Sequence, residues 1–166
     1  MIRVVVGELG REAVDAVLRP ADATLAPVGA AAARLDELGG EGFAKERRTA
    51  TPLEAGAAVV TGGGALAAGF VLHVVVADER GAAGREQVRR ALVSAWQRAG
   101  DWGLARVAAP LVGMANGQLT VEVSAELLVE TFPGPEGGRR EPPELWIVVD
   151  APAERDVVEA IVRRKT

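Results

Sequence analysis

Apolar positions along this chain fall into two rhythms. Six short runs are apolar without a break or nearly so: Ile2–Val6, Asp15–Leu18, Ala57–Thr61, Phe70–Val76, Ala105–Val112 and Leu145–Asp150. Continuous apolar runs of this length suit strands covered on both faces of a sheet, whereas a sheet with one wet face shows strict alternation. Between them lie segments with helical spacing. In "AAGREQVRRALVSAWQRAG", Val88, Ala91, Leu92, Ala95 and Trp96 recur at i, i+3, i+4 intervals, while Arg85, Glu86, Arg89, Arg90 and Arg98 take the other side. "GAAAARLDELGG" is rich in helix formers, and Gly39 and Gly40 predict its end. "AERDVVEAIVRRKT" opens with acids and closes with Arg163, Arg164 and Lys165, which complements a helix dipole at both ends. "LTVEVSAELLVETF" mixes β-branched residues with later helix formers and is read as a helix.

Strands that alternate with helices predict an α/β sandwich with at least part of the sheet parallel. The 166 residues suit a single domain, 1–166, large enough to bury a core. Residues 133–144, "PGPEGGRREPPE", read as a Pro/Gly-rich loop rather than a domain linker.

Composition narrows the chemistry. A net charge of −4 and a pI near 5.2 argue against general nucleic-acid binding, which needs a concentrated basic surface. The chain has no cysteine, so disulfides, thiolate metal sites and a cysteine nucleophile are excluded. One histidine and no clustered carboxylates give no basis for a metal site or a bound cofactor. No window approaches the ~18 apolar residues of a membrane span. Met1 runs straight into "IRVVV" without a basic flank, so a secretory leader is not expected and a cytoplasmic location is. The Ala, Val, Arg and Glu bias fits a GC-rich genome or a thermostable protein.

In open α/β sheets, ligands sit where strands feed loops at their carboxyl ends. Three loops in such places carry unusual residues: Arg19 to Gly29 with Asp22 inside it, Thr61 to Ala65, and Gly113 to Leu119 with Gly117. Glycine there serves either a turn with unusual backbone angles or the close approach of amides to a phosphate, and spacing alone leaves both open. "TGGGA" lacks the Lys and Ser/Thr of a nucleoside-triphosphate loop, and no GxGxxG occurs. His73 lies inside an apolar strand and reads as a satisfied core histidine rather than a catalytic one. Ser94 and Ser124 fall in helical patterns with no histidine near them in sequence, which argues against a serine triad.

The order of these pieces resembles the macro domain family of ADP-ribose-binding modules. The family opens with G-D-I and V-D-A-I-V-N-A-A-N; here "VVVGELGREAVDAVLRPADATL" sets Gly7-Glu8-Leu9 on the first motif and Val14 to Asp22 on the second. "PLEAGAAVVTGGGALAAGFVLHVVV" is similar to the family's P-T-G-E-A-V-I-T and Y-V-I-H, and "RVAAPLVGMANGQ" is similar to its fifth-strand loop. The resemblance spans nearly the whole chain. It implies a three-layer α/β/α sandwich with a mixed, mostly parallel six-stranded sheet.

It also implies a ligand site. Glu8 and Leu9 take the place of the adenine-reading motif, and Arg19 and Asp22 take the places of the two asparagines. Gly29, and Gly113, Met114, Ala115, Asn116 and Gly117, take the places of the two phosphate loops. The substitutions concentrate in those loops: Asp22 cannot donate an amide hydrogen bond, the first loop keeps only Gly29, and no aromatic follows the last strand. Three functions follow. One is a module that binds ADP-ribose or a related nucleotide, weakly or with altered specificity. Another is a non-binding structural or protein-interaction domain, including a homodimer. The last is a hydrolase of ADP-ribosyl derivatives, with Asp22 as its only candidate base.

Overall fold

The computed structural model describes residues 1–115, 119–134 and 141–166. In chain order it runs β1 (Ile2–Val6), β2 (Ala16–Asp22), α1 (Ala30–Glu46), β3 (Ala58–Gly62), β4 (Phe70–Asp78), β5 (Gly81–Ala82), α2 (Arg85–Asp101), β6 (Arg106–Ala109), α3 (Val121–Thr131), β7 (Glu144–Val149) and α4 (Pro152–Lys165). The strands form one sheet in the order β1-β7-β6-β2-β4-β3, with β5 added against β4. Pairings from β1 across to β4 are parallel; β3 and β5 pair antiparallel with β4.

Alternation along the strands builds the layers. Ala16 and Leu18, Leu72 and Val74, Val107 and Ala109, and Leu145 and Ile147 point to one face, where they pack with α2, α3 and α4. Residues of the opposite parity, Val17, Val71, Ala108 and Val148, point to the other face, where Leu35 and Phe43 of α1 cover them. Both faces are apolar because both are roofed, which is why the strands read as unbroken runs. No helix of the described residues is long and apolar enough to cross a membrane.

The mostly parallel α/β/α arrangement is as expected, with three adjustments. The sheet has seven strands rather than six, because Gly81–Ala82 turns back onto β4 after Asp78 and is too short to leave an apolar run. Strand β2 extends past Leu18 to Asp22, through a proline. The Pro20 carbonyl accepts from Val28 N at 3.1 Å, so its peptide faces away from β4. Pairing with β6 has ended there at Val17, and the missing N–H leaves no gap in a ladder. Helix α1 does break at Gly40 (φ 67°, ψ −163°), as its glycines predict, but the chain re-enters a helix to Glu46. Phe43 drives that return, since it is fully buried against the sheet.

Candidate ligand cleft

The carboxyl ends of β1, β7, β6 and β2 open onto a cleft of about 190 Å³. Gly7 and Leu9 enter from the loop after β1, Val28 to Ala31 from the start of α1, and Pro110 to Ala115, except Val112, from the loop after β6. Asp150, following β7, and Glu154, on α4, complete the wall and are its only ionisable side chains among the described residues.

Local chemistry explains how α1 presents its start. Gly29 caps the helix at φ 95° and ψ 165° without any side-chain hydrogen bond. The first helical bond is Ala33 N to Gly29 O at 3.1 Å, so the Ala30, Ala31 and Ala32 amides precede the ladder and carry the positive end of the helix dipole. Gly29 also lets the two loops meet: a Cβ built on it would lie 3.2 Å from the Ala115 Cβ. In the second loop Gly113 has φ 85°, and its carbonyl takes the Leu119 N–H. Val112 N, beside it, donates to the buried Ser124 Oγ at 2.7 Å.

Leu9, Gly29, Gly113, Met114 and Ala115 therefore line the cleft; Asn116 and Gly117 lie outside the described residues. Glu8 is close in sequence but does not line it. Its carboxylate is taken by Arg11 Nε at 2.8 Å, and that bond holds its pKa below the usual range. Asp22 closes its own turn: Oδ1 accepts from Thr24 N, Thr24 Oγ1 and Ala26 N at 2.9–3.0 Å. The carboxylate is spent locally, and it too is not part of the cleft wall.

Arg19 requires a correction. In the sequence it stands beside Asp22 in a ligand loop; in the fold it is a β2 residue with no exposed surface. Because side chains alternate along a strand, Arg19 turns away from the α2–α4 side and under α1. There Nε and Nη2 donate to the two Asp36 oxygens at 2.7 and 2.8 Å. Its Nη1 lies 3.1 Å from His73 Nδ1, and His73 Nε2 lies 2.7 Å from Thr61 Oγ1. A guanidinium can only donate, so Nδ1 is the acceptor and the neutral ring carries its proton on Nε2. Burial first, then the Arg19 and Arg47 charges, push the His73 pKa down to about 3. His73 is a satisfied core histidine, as the apolar run around it suggests.

Asp36 is absent from the sequence expectations, although it leaves a readable signal. It falls one helical turn beyond Ala32, beside Leu35, on the buried stripe of α1, and a carboxylate there needs a cation. Glu154 looks like an ordinary first-turn helix acid and Asp150 like an acid just ahead of the helix, and nothing local shows that they border a cleft.

Comparison with known proteins fits this geometry. The family model described as Macro domain matches residues 19–128. An uncharacterized protein of Aeropyrum pernix is 33% identical over 134 residues, covering 76% of this chain and 68% of its own. The solved Trypanosoma brucei macrodomain in complex with ADP gives a TM-score of 0.80 at 18% identity, covering 97% of this chain and 68% of that one. A variant Oceanobacillus iheyensis macrodomain with ADPR gives 0.75 at 14% identity, covering 97% and 91%. At such identities the structural likeness speaks for the fold, and the family match across residues 19–128 supplies the assignment: the chain belongs to the macro domain family.

Proposed function

We propose that the cleft binds ADP-ribose or a related nucleotide diphosphate, with modest affinity. The observation that carries this reading is the meeting of two backbone loops at one place. The uncapped start of α1 at Gly29 and the Gly113–Ala115 loop border the same cleft at the carboxyl ends of parallel strands. Helix amides with no acceptor among the described residues favour an anion there. That a Trypanosoma brucei relative of the same fold was solved with ADP, and an Oceanobacillus iheyensis one with ADPR, supports a nucleotide as the ligand.

The cleft's chemistry argues for modest affinity. No cationic side chain is among its described lining residues, while Asp150 and Glu154 place carboxylates at its wall. Arg34 Nη2, 3.1 Å from Asp150 Oδ1, offsets part of that charge; the negative charge that remains opposes a diphosphate, less so in salt. The volume of about 190 Å³ also falls below the roughly 300–1,000 Å³ usual for small-molecule sites. These features favour, as the second reading, a cleft retained as architecture in an interaction module, whose simplest form is a homodimer. Hydrolysis finds less support, because Asp22 is engaged by its own turn. A cytoplasmic location goes with either of the first two readings.

Thermal unfolding with about 1 mM ADP-ribose, ADP or AMP separates them. Saturation at about 100 times the dissociation constant stabilises the fold by about 2.7 kcal/mol. For a domain of this size that is a shift of roughly 5–10 °C. A shift with ADP-ribose that exceeds the one with AMP supports the binding reading. Coincident melting curves for all three nucleotides and buffer overturn it.

A further inference from the structure

The first turns of α1 carry the amides that border the cleft, and few buried directional contacts hold them in place. Gly40 interrupts the helix, so the segment from Ala30 to Gly39 is not braced by the turns beyond it. An isolated helix shorter than about 12 residues is marginal in water, so tertiary contacts must hold this one. On its buried side it offers Ala32, Leu35 and Gly39. Apolar contacts of this kind are non-directional; beside them stand a backbone bond from Ala65 N to Gly39 O at 3.1 Å, at the far end of the segment, and the solvent-exposed Arg34–Asp150 pair at 3.1 Å.

The bond between Arg19 and Asp36 differs from these in being both bidentate and buried. Two parallel N–H···O bonds of 2.7 and 2.8 Å join a fully buried guanidinium to a carboxylate that is 11% exposed. Such fork-to-fork pairing is directional and tolerates little displacement. Arg19 is itself fixed by His73 Nδ1 at 3.1 Å and lies over the Phe43 ring. Its strand neighbour Pro20 lines the cleft. The pair thus bridges the two elements, β2 and α1, that meet at the ligand position.

We propose that Arg19 and Asp36 are the positioning pair of the cleft, fixing where the first turns of α1 sit along their axis and so where the Ala30 and Ala31 amides meet an anion. A slip of one residue along a helix is about 1.5 Å, enough to carry an N–H out of hydrogen-bond range. Neither residue lines the cleft. The identity of the ligand rests on the nucleotide reading above; the mechanical role does not.

The test is the double variant Arg19→Met/Asp36→Leu. It removes both charges of the fork together, an exchange that is often near neutral for stability, although Arg47, whose Nη1 lies 3.6 Å from Asp36 Oδ2, loses that carboxylate and His73 Nδ1 loses its donor. Two quantities are read beside the urea midpoint: the ADP-ribose dissociation constant, and amide hydrogen exchange from Ala33 to Leu38 without ligand. The expected result is a dissociation constant raised at least tenfold and exchange in α1 at least tenfold faster than the change in midpoint accounts for. Wild-type exchange in the double variant overturns the proposal, and so does faster exchange that the loss of global stability fully accounts for. If the unaltered protein binds no ADP-ribose, the nucleotide reading falls while the exchange arm still decides the positioning role. Should the double variant fail to fold, Arg19→Lys keeps the charge without the fork, and the same two readouts carry the decision.

Discussion

Gly29→Ala is the substitution whose cost follows most directly from the geometry. The residue sits at φ 95° and ψ 165°, a region that is essentially glycine-only and costs another residue on the order of 1–3 kcal/mol. The new methyl would also meet the Ala115 Cβ at 3.2 Å, inside the usual ~3.5–4.0 Å contact of carbon atoms. That contact asks Ala115 to withdraw by a few tenths of an ångström, which an irregular loop can do, so the backbone term dominates. A loss of about 1–3 kcal/mol in a domain of 150–250 residues lowers Tm by roughly 2–12 °C. In urea the midpoint should fall while the slope stays as in wild type, since the surface exposed on unfolding is unchanged. Gly69→Ala is the control. A methyl placed there meets nothing within 4 Å, and its φ is not in the left-handed region, so it should stay within about 0.5 kcal/mol of wild type. If Gly29→Ala melts together with Gly69→Ala, α1 does not begin with this backbone geometry, and the argument for presented amides loses its footing.

Two further outcomes test the surroundings of the cleft. His73 stays neutral in the fold down to about pH 3, whereas in the unfolded chain it takes a proton below about 6.5. Its contribution is therefore complete above pH ~6.5 and is lost as pH falls toward about 3, at up to about 1.4 kcal/mol per unit. Urea midpoints from about pH 7.5 to 4 should drop more steeply for wild type than for His73→Gln, and parallel curves would contradict the buried neutral ring. Asp22→Ala removes the acceptor of three hydrogen bonds in its turn and should cost about 1 kcal/mol, in line with the loss of a capping side chain. Asp22→Asn keeps the acceptor and should recover most of that in the same urea titration; equal losses would mean the carboxylate's charge, not its turn, is what matters.

The layers of this fold can be read from the chain alone. Unbroken apolar strands imply a sheet covered on both faces, and periodic helices between them imply parallel crossovers; both are local patterns that burial writes into the chain. The loops can be read as well: Gly29 and Gly113 stand out because positive φ requires a residue without a side chain, wherever that residue sits in the fold. His73 was legible too, from the apolar run that surrounds it. Partnership was not legible. Arg19 and Asp22 are three residues apart, and the sequence groups them, yet strand alternation sends the first under α1 while the second closes a turn. Glu8 and Asp150 look alike as exposed acids after strands; only the packing of α4 and α1 around the sheet puts Asp150 on the cleft wall and leaves Glu8 with Arg11. Which side chains face one another across the sheet depends on register and on where each helix comes to rest, and both are set by contacts between residues far apart in the chain. Arg19 and Asp36 are the case in point, because the direction of one strand residue and the resting place of one broken helix had to coincide before a buried charge found its partner.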